Sequence, residues 1–123
     1  MPFAPSILGE YVNEYLLNYD MNDTASYFMT ATYNVTEKFF KNAPAAVHVD
    51  NTCRPQIVVK KINPRYYNII NNYYRISHIP IIINTSFNMH EEPIVCSAKD
   101  AIKTFIEADL DVLVMNNYWI EGD

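Results

Sequence analysis

The stretch Ile79-Pro80-Ile81-Ile82-Ile83-Asn84-Thr85-Ser86-Phe87-Asn88 joins a β-branched apolar run to a cluster of hydroxyl and amide side chains. Branching at Cβ suits pleated backbone and disfavours helix, and the run has the length of a strand, so residues 79–83 predict one. Because the run is apolar on both faces and bounded by Pro80, it reads as an interior strand rather than an edge. Open α/β sheets bind ligands just beyond the carboxyl ends of their strands, which is where Thr85, Ser86 and Asn88 fall. A Ser or Thr hydroxyl donates one hydrogen bond and an Asn amide two, so the cluster can hold phosphate or carboxylate without a formal charge. The same residues also serve simply to close a strand and open a turn.

Outward from this stretch, the composition describes a folded domain. The chain has 123 residues, 50% of them hydrophobic and 19% charged, which is enough for one domain with its own core and excludes intrinsic disorder. A net charge of −5 argues against nucleic acid as a partner, since phosphate backbones are bound by basic surfaces. Arg54, Lys60, Lys61 and Arg65 form a local basic group. No run approaches the ~18 apolar residues of a membrane span. The two cysteines, Cys53 and Cys96, show no metal-ligand spacing and no disulfide framework, which with the absence of a leader-like segment predicts a cytoplasmic protein. With glycine only at positions 9 and 122, a Gly-rich phosphate loop is excluded.

Residues 2–6, with Pro2 and Pro5, read as a rigid opening segment. Residues 7–19 carry Leu8, Tyr11, Val12, Tyr15 and Leu16 at helical spacing and predict an amphipathic helix. Residues 20–26 read as a loop, and residues 27–35, rich in Thr and Tyr, predict a strand. Two more strands are predicted over residues 46–49 and 56–59. Asn63-Pro64 sets a helix start with Tyr67, Ile70, Tyr73 and Tyr74 turned inward. Ser97, with Asp100 three residues on, predicts a second helix whose core side carries Ala101, Phe105 and Ile106. Residues 113–115 predict a last strand, which the tail from Trp119 extends.

Arg54 is the second candidate site residue. It lies between two predicted strands, is followed by Pro55, and presents a guanidinium that can clamp phosphate bidentately. The alternative is a surface ion pair with Asp50. His48 and His90 are candidate acid–base groups or ligands, but His48 reads as a residue on the polar face of a strand and His90 as an exposed loop residue beside Glu91 and Glu92. Cys53 lacks an adjacent base and is a weak candidate nucleophile, and Cys96, in apolar surroundings, reads as buried.

Several segments, in order, resemble the C-terminal region of the NodU/CmcH carbamoyltransferases. They are Pro2-Phe3-Ala4-Pro5-Ser6-Ile7-Leu8, Pro44-Ala45-Ala46-Val47-His48-Val49-Asp50-Asn51-Thr52-Cys53-Arg54-Pro55-Gln56, Asn84-Thr85-Ser86-Phe87-Asn88 and Glu92-Pro93-Ile94-Val95, followed by Asp100-Ala101, Phe105 and Leu110-Asp111. The resemblance implies an α/β (α+β) fold of the YrdC-like kind, a twisted mixed sheet flanked by helices, as part of a single domain whose N-terminal portion lies outside this chain. It also implies binding of carbamoyl phosphate and ATP, with Mg²⁺ accompanying the ATP, and formation of carbamoyl adenylate. A larger transferase domain or chain then passes the carbamoyl group to an acceptor hydroxyl. The family's Ser-x-Asn motif falls on Ser86 and Asn88 and its arginine on Arg54, with Thr52, Thr85 and Ser6 as further contacts.

The departures concern charge and glycine. Met1 stands in the place of an arginine of the family, and an upstream lysine falls outside the sequence. Asn51, His78, Glu91 and Asn116 stand where the family has glycine. The resulting expectation is a partial carbamoyltransferase, inactive as this chain alone, with self-association through uncovered surface. The alternatives are a non-catalytic nucleotide- or anion-binding module, or an inactive remnant of such an enzyme, and, least favoured by the acidic balance, an RNA-binding domain.

Overall fold

The computed structural model describes residues 3–122, and Met1, at the family's arginine position, and Pro2 lie outside the described residues. Within this range the chain forms two compact units that divide between Thr85 and Ser86.

The first unit is organised on β1 (Ala4–Leu8), whose five residues are all buried. Against it lie β4 (Gln56–Val58), parallel, with Ser6 opposite Gln56, and β5 (Ile81–Asn84), antiparallel, with Ala4 opposite Asn84. The order β4–β1–β5 makes a mixed sheet, as the α/β reading expected. Two strand assignments exchange roles, however. Residues 4–6, read as an opening segment, belong to the central strand, whereas the isoleucine run, read as interior, forms the edge strand β5 with Ile83 42% exposed. Local apolarity identifies a strand but not its place in the sheet, which long-range pairing decides. Pro5 is tolerated in the centre because β4 begins opposite Ser6, leaving Pro5 a partner strand on one side only.

The helix predicted over residues 7–19 is replaced by a 3₁₀ turn at Gly9–Tyr11 and the single-turn α1 (Val12–Tyr15). Val12, Tyr15 and Leu16 are buried as the periodicity required, but Leu8 belongs to the sheet and Leu16 bridges Val35. The strand predicted over 27–35 shrinks to β2 (Tyr33–Asn34), which pairs with β3 (Thr52–Cys53), because Asp23 caps a 3₁₀ turn at Thr24–Phe28. Where a strand was predicted over 46–49, Pro44 opens a 3₁₀ turn at Pro44–Ala46. An additional helix, α2 (Glu37–Asn42), is capped by Thr36, whose Oγ1 accepts from Phe39 N at 3.3 Å. Helix α3 (Pro64–Ser77) starts as predicted, with Asn63 Oδ1 accepting from Tyr66 N at 3.2 Å. Tyr67 and Ile70 face the core, but Tyr73 is exposed. The core gathers Ile7, Val12, Tyr15, Phe39, Cys53 and Ile57.

The second unit consists of α4 (Ala98–Glu107) and a hairpin of β6 (Val112–Met115) and β7 (Tyr118–Glu121). The predicted capping box is complete, with Ser97 Oγ accepting from Asp100 N and Asp100 Oδ2 accepting from Ser97 N, each at 3.1 Å. Ala101 and Phe105 pack on Leu113. Ile106 points outward instead of into the core, and Cys96 is exposed rather than buried.

All four residues at family glycine positions adopt left-handed backbone: Asn51 at φ 62°, His78 at 58°, Glu91 at 65° and Asn116 at 54°. Asn accepts this conformation readily, whereas His and Glu carry a Cβ penalty. His78 does so as the C-cap of α3. No described helix is long and apolar enough to cross a membrane.

Candidate functional site

Ser6 is fully buried at the centre of the sheet. Its hydroxyl donates to Gln56 Oε1 at 3.0 Å and accepts from the Tyr66 hydroxyl at 2.8 Å. Gln56 Oε1 also accepts from Asn84 Nδ2 at 2.8 Å. One polar group from each of β1, β4, β5 and α3 thus forms a closed network, as buried polar groups require. Ser6, expected to contact a ligand, donates its hydroxyl proton to Gln56 in this structure. Gln56 and Asn84 were not singled out as network members, although an amide within an otherwise apolar strand is a readable sign of one.

A second group occupies residues 48–54. Thr52 donates to Asp50 Oδ1 through its backbone N–H at 3.1 Å and its hydroxyl at 2.7 Å. The hydroxyl bond is the main reason the Asp50 carboxyl lies below its usual range. Thr52 Oγ1 also lies 3.1 Å from His48 Nδ1. His48 therefore sits in a turn rather than on a strand. Arg54 is half-buried and donates through Nη1 to the Met29 carbonyl at 3.1 Å. It forms no ion pair with Asp50 or with any other described carboxylate, so the rest of its guanidinium is available. Between these residues Cys53 is fully buried, and burial pushes its thiol up to about 12, which removes it as a nucleophile.

Thr85 is exposed just beyond β5, and its hydroxyl has no protein partner among the described residues. In the second unit Ser86 is also exposed, and its hydroxyl donates to Asn88 Oδ1. Asn88 Nδ2 donates to the carbonyls of Met89 at 2.8 Å and Glu92 at 3.0 Å, fastening the turn that follows. Both amide donors of Asn88 are thus committed to the chain itself. His90 is exposed, as expected, with Nε2 3.9 Å from Glu91. The Glu92–Val95 motif lines a groove of about 520 Å³ with Cys96, Asp100, Lys103 and Thr104. Among the described residues no three His, Cys, Asp or Glu side chains converge as a metal cage.

Comparison with known proteins shows the family to which the chain belongs. The sequence profile of the family described as Carbamoyltransferase C-terminus matches residues 1–122. The Methanocaldococcus jannaschii protein MJ1051 is 46% identical over 120 residues, covering 98% of this chain and 23% of its own length. Nodulation protein NolNO of Sinorhizobium fredii is 41% identical over 122 residues, covering 98% of this chain and 18% of its own. Nodulation protein NolO of Bradyrhizobium diazoefficiens is 40% identical over 121 residues, covering 97% and 22%. The chain thus spans only 18–23% of the length of these relatives.

Proposed function

Because the chain belongs to the carbamoyltransferase C-terminus family, which gives it a carbamoyltransferase-like role, we propose that it binds carbamoyl phosphate and ATP and takes part in forming carbamoyl adenylate. The carbamoyl group would then pass to an acceptor hydroxyl. Since the relatives are several times longer than this chain, a larger transferase domain or chain completes that second step.

The observation that carries the reading is Arg54. A half-buried guanidinium anchored by one N–H and lacking a carboxylate is poorly explained by stability, because a partly buried charge is stabilising only when paired. As an anion clamp it is well placed: the Met29 carbonyl fixes its orientation and leaves further donors for phosphate or carbamate oxygens. Thr85, beyond the end of β5, carries an uncommitted hydroxyl of its own. In the second unit, taken by itself, Ser86 can turn its hydroxyl from Asn88 to an anionic oxygen, while Asn88 keeps the turn in shape. These residues suit anionic oxygens, and Mg²⁺ accompanying ATP would supply charge neutralisation for its phosphates. The side chains supply positioning and charge stabilisation rather than a covalent nucleophile.

Carbamoyl-phosphate-dependent exchange of labelled pyrophosphate into ATP, measured with this chain beside its transferase partner, tests the reading. Arg54→Ala should abolish exchange, and Arg54→Lys, which keeps the charge but loses the fork, should leave roughly a tenth of it or less. Exchange undiminished in Arg54→Ala would overturn the assignment. A second reading, a non-catalytic nucleotide-binding module, is favoured by the commitment of both Asn88 donors, and ATP binding without any exchange would support it.

A further inference from the structure

Thr52 has a single hydroxyl proton and two neighbours within hydrogen-bond distance, Asp50 Oδ1 at 2.7 Å and His48 Nδ1 at 3.1 Å. An ionised carboxylate can only accept, so the proton goes to Asp50. That bond is the first cause holding the Asp50 carboxyl below its usual range, which keeps it ionised at neutral pH. His48 Nδ1 is then the donor to the Thr52 oxygen. In the neutral ring only one nitrogen carries a proton, which leaves Nε2 a bare acceptor.

The surrounding turn fixes the ring in place. His48 N donates to Thr52 O at 2.7 Å, Asn51 N donates to His48 O at 3.0 Å, and left-handed Asn51 closes the loop. His48 is half-buried, and among the described residues its Nε2 has no partner. Strand side chains alternate, and Cys53 faces the core at 0% exposure, so Thr52, its neighbour on β3, faces away from the core. His48 is attached to Thr52 on that side.

We propose that His48 recognises the carbamoyl amide: its Nε2 accepts an N–H from the –NH₂ of carbamoyl phosphate or carbamate, while Arg54 takes the anionic oxygens. Asp50 and Thr52 are positioning residues that set the tautomer. The inference rests on the proposed function and deepens it by naming what selects the substrate. An ionised phosphate has no proton to give, and acetyl phosphate carries a methyl group where carbamoyl phosphate carries –NH₂. A bare acceptor therefore favours the amide over both.

Long-range ¹H–¹⁵N spectra of the histidine-labelled chain in mildly alkaline buffer read the tautomer directly. His48 should be protonated at Nδ1, and Thr52→Val should return it to the Nε2–H form that free imidazole favours. An Nε2–H ring in the unaltered chain overturns the proposal. Titration with carbamoyl phosphate and Mg²⁺–ATP should then shift the His48 Nε2 resonance, and acetyl phosphate should not. His48→Asn keeps a donor toward Thr52 but places nothing at Nε2. It should weaken carbamoyl phosphate about tenfold, the loss of one hydrogen bond, with acetyl phosphate affinity and melting temperature unchanged. Equal carbamoyl phosphate affinity in His48→Asn, or binding that leaves the Nε2 resonance unmoved, overturns the role of His48 while the proposed function stands. Failure of the unaltered chain to bind either acyl phosphate overturns the proposed function and, with it, the ligand assigned to His48.

Discussion

In residues 3–85 the polar groups near the sheet are held by partners distant in sequence: Ser6 on β1 by Gln56 on β4 and Tyr66 on α3, and Gln56 by Asn84 on β5. In residues 86–122 the named hydroxyl and amide groups are held by near neighbours: Ser86 by Asn88, Asn88 by Met89 and Glu92, Ser97 by Asp100. Burial follows the same division. Ile7, Tyr15, Phe39 and Ile70 are at 0% exposure in the first unit, whereas the core of the second rests on Ala101, Phe105 and Leu113, each about 6–7% exposed. The contrast teaches that a change in the first unit should be felt across several elements, whereas one in the second should stay local.

The largest expected effect is in the first core. Phe39→Ala removes a fully buried ring and should cost about 3–5 kcal/mol in urea denaturation, with protection lost throughout α3. Phe105→Ala, in a smaller and shallower core, should cost less and leave exchange in α3 unchanged. Equal costs would break the comparison.

Next comes the buried network. Gln56→Leu leaves the Ser6 hydroxyl and the Asn84 amide without their shared acceptor, and thermal melts should show a loss of about 1–3 kcal/mol. Asn88→Ala removes two bonds to carbonyls that water can reach, and about 1 kcal/mol is expected, with faster amide exchange confined to the turn around residues 88–95. Ser86→Ala, at an exposed hydroxyl, should fall within ~0.5 kcal/mol of the original.

Thiol labelling sharpens the same contrast. Cys96 is exposed and should be modified in the native state, slowly, because its hydrogen bond to Asp100 holds the thiol above its ordinary range. Cys53 should react only when the first unit opens. The smallest effect is a gain. His78→Gly, and separately Glu91→Gly, relieve a left-handed Cβ penalty of roughly 1–2 kcal/mol against the greater entropy of glycine, for a net stabilisation of about 0.5–1 kcal/mol.

What the sequence made legible was local chemistry. Asn63-Pro64, Ser97 with Asp100, and the β-branched run ending at Ile83 each carry their own structural cause, and each produced the predicted kind of element. At the family's glycine positions, Asn51 and Asn116 suit left-handed backbone by their own chemistry, whereas His78 and Glu91 adopt it although their side chains give no sign of it. Misread features depended on distant partners. The spacing of Val12, Tyr15 and Leu16 recorded burial, but a strand and a bridge satisfy it as well as a helix. Val47, His48 and Val49 alternate in sequence, yet Pro44 and the His48–Thr52 turn take that segment out of the sheet. Among the candidate residues, Arg54 and Thr85 have donors uncommitted, while Ser6 and Asn88 hydrogen-bond to other parts of the chain. No pattern in sequence separates a hydroxyl that awaits a ligand from one that is already bonded across a sheet.

The most direct test of the central claim is calorimetric titration of the purified chain with Mg²⁺–ATP and then carbamoyl phosphate, beside Arg54→Ala and Ser86→Ala. Binding by the unaltered chain should be lost in Arg54→Ala and weakened in Ser86→Ala, with melting temperatures preserved. No binding at millimolar ligand, or binding indifferent to both substitutions, would contradict it.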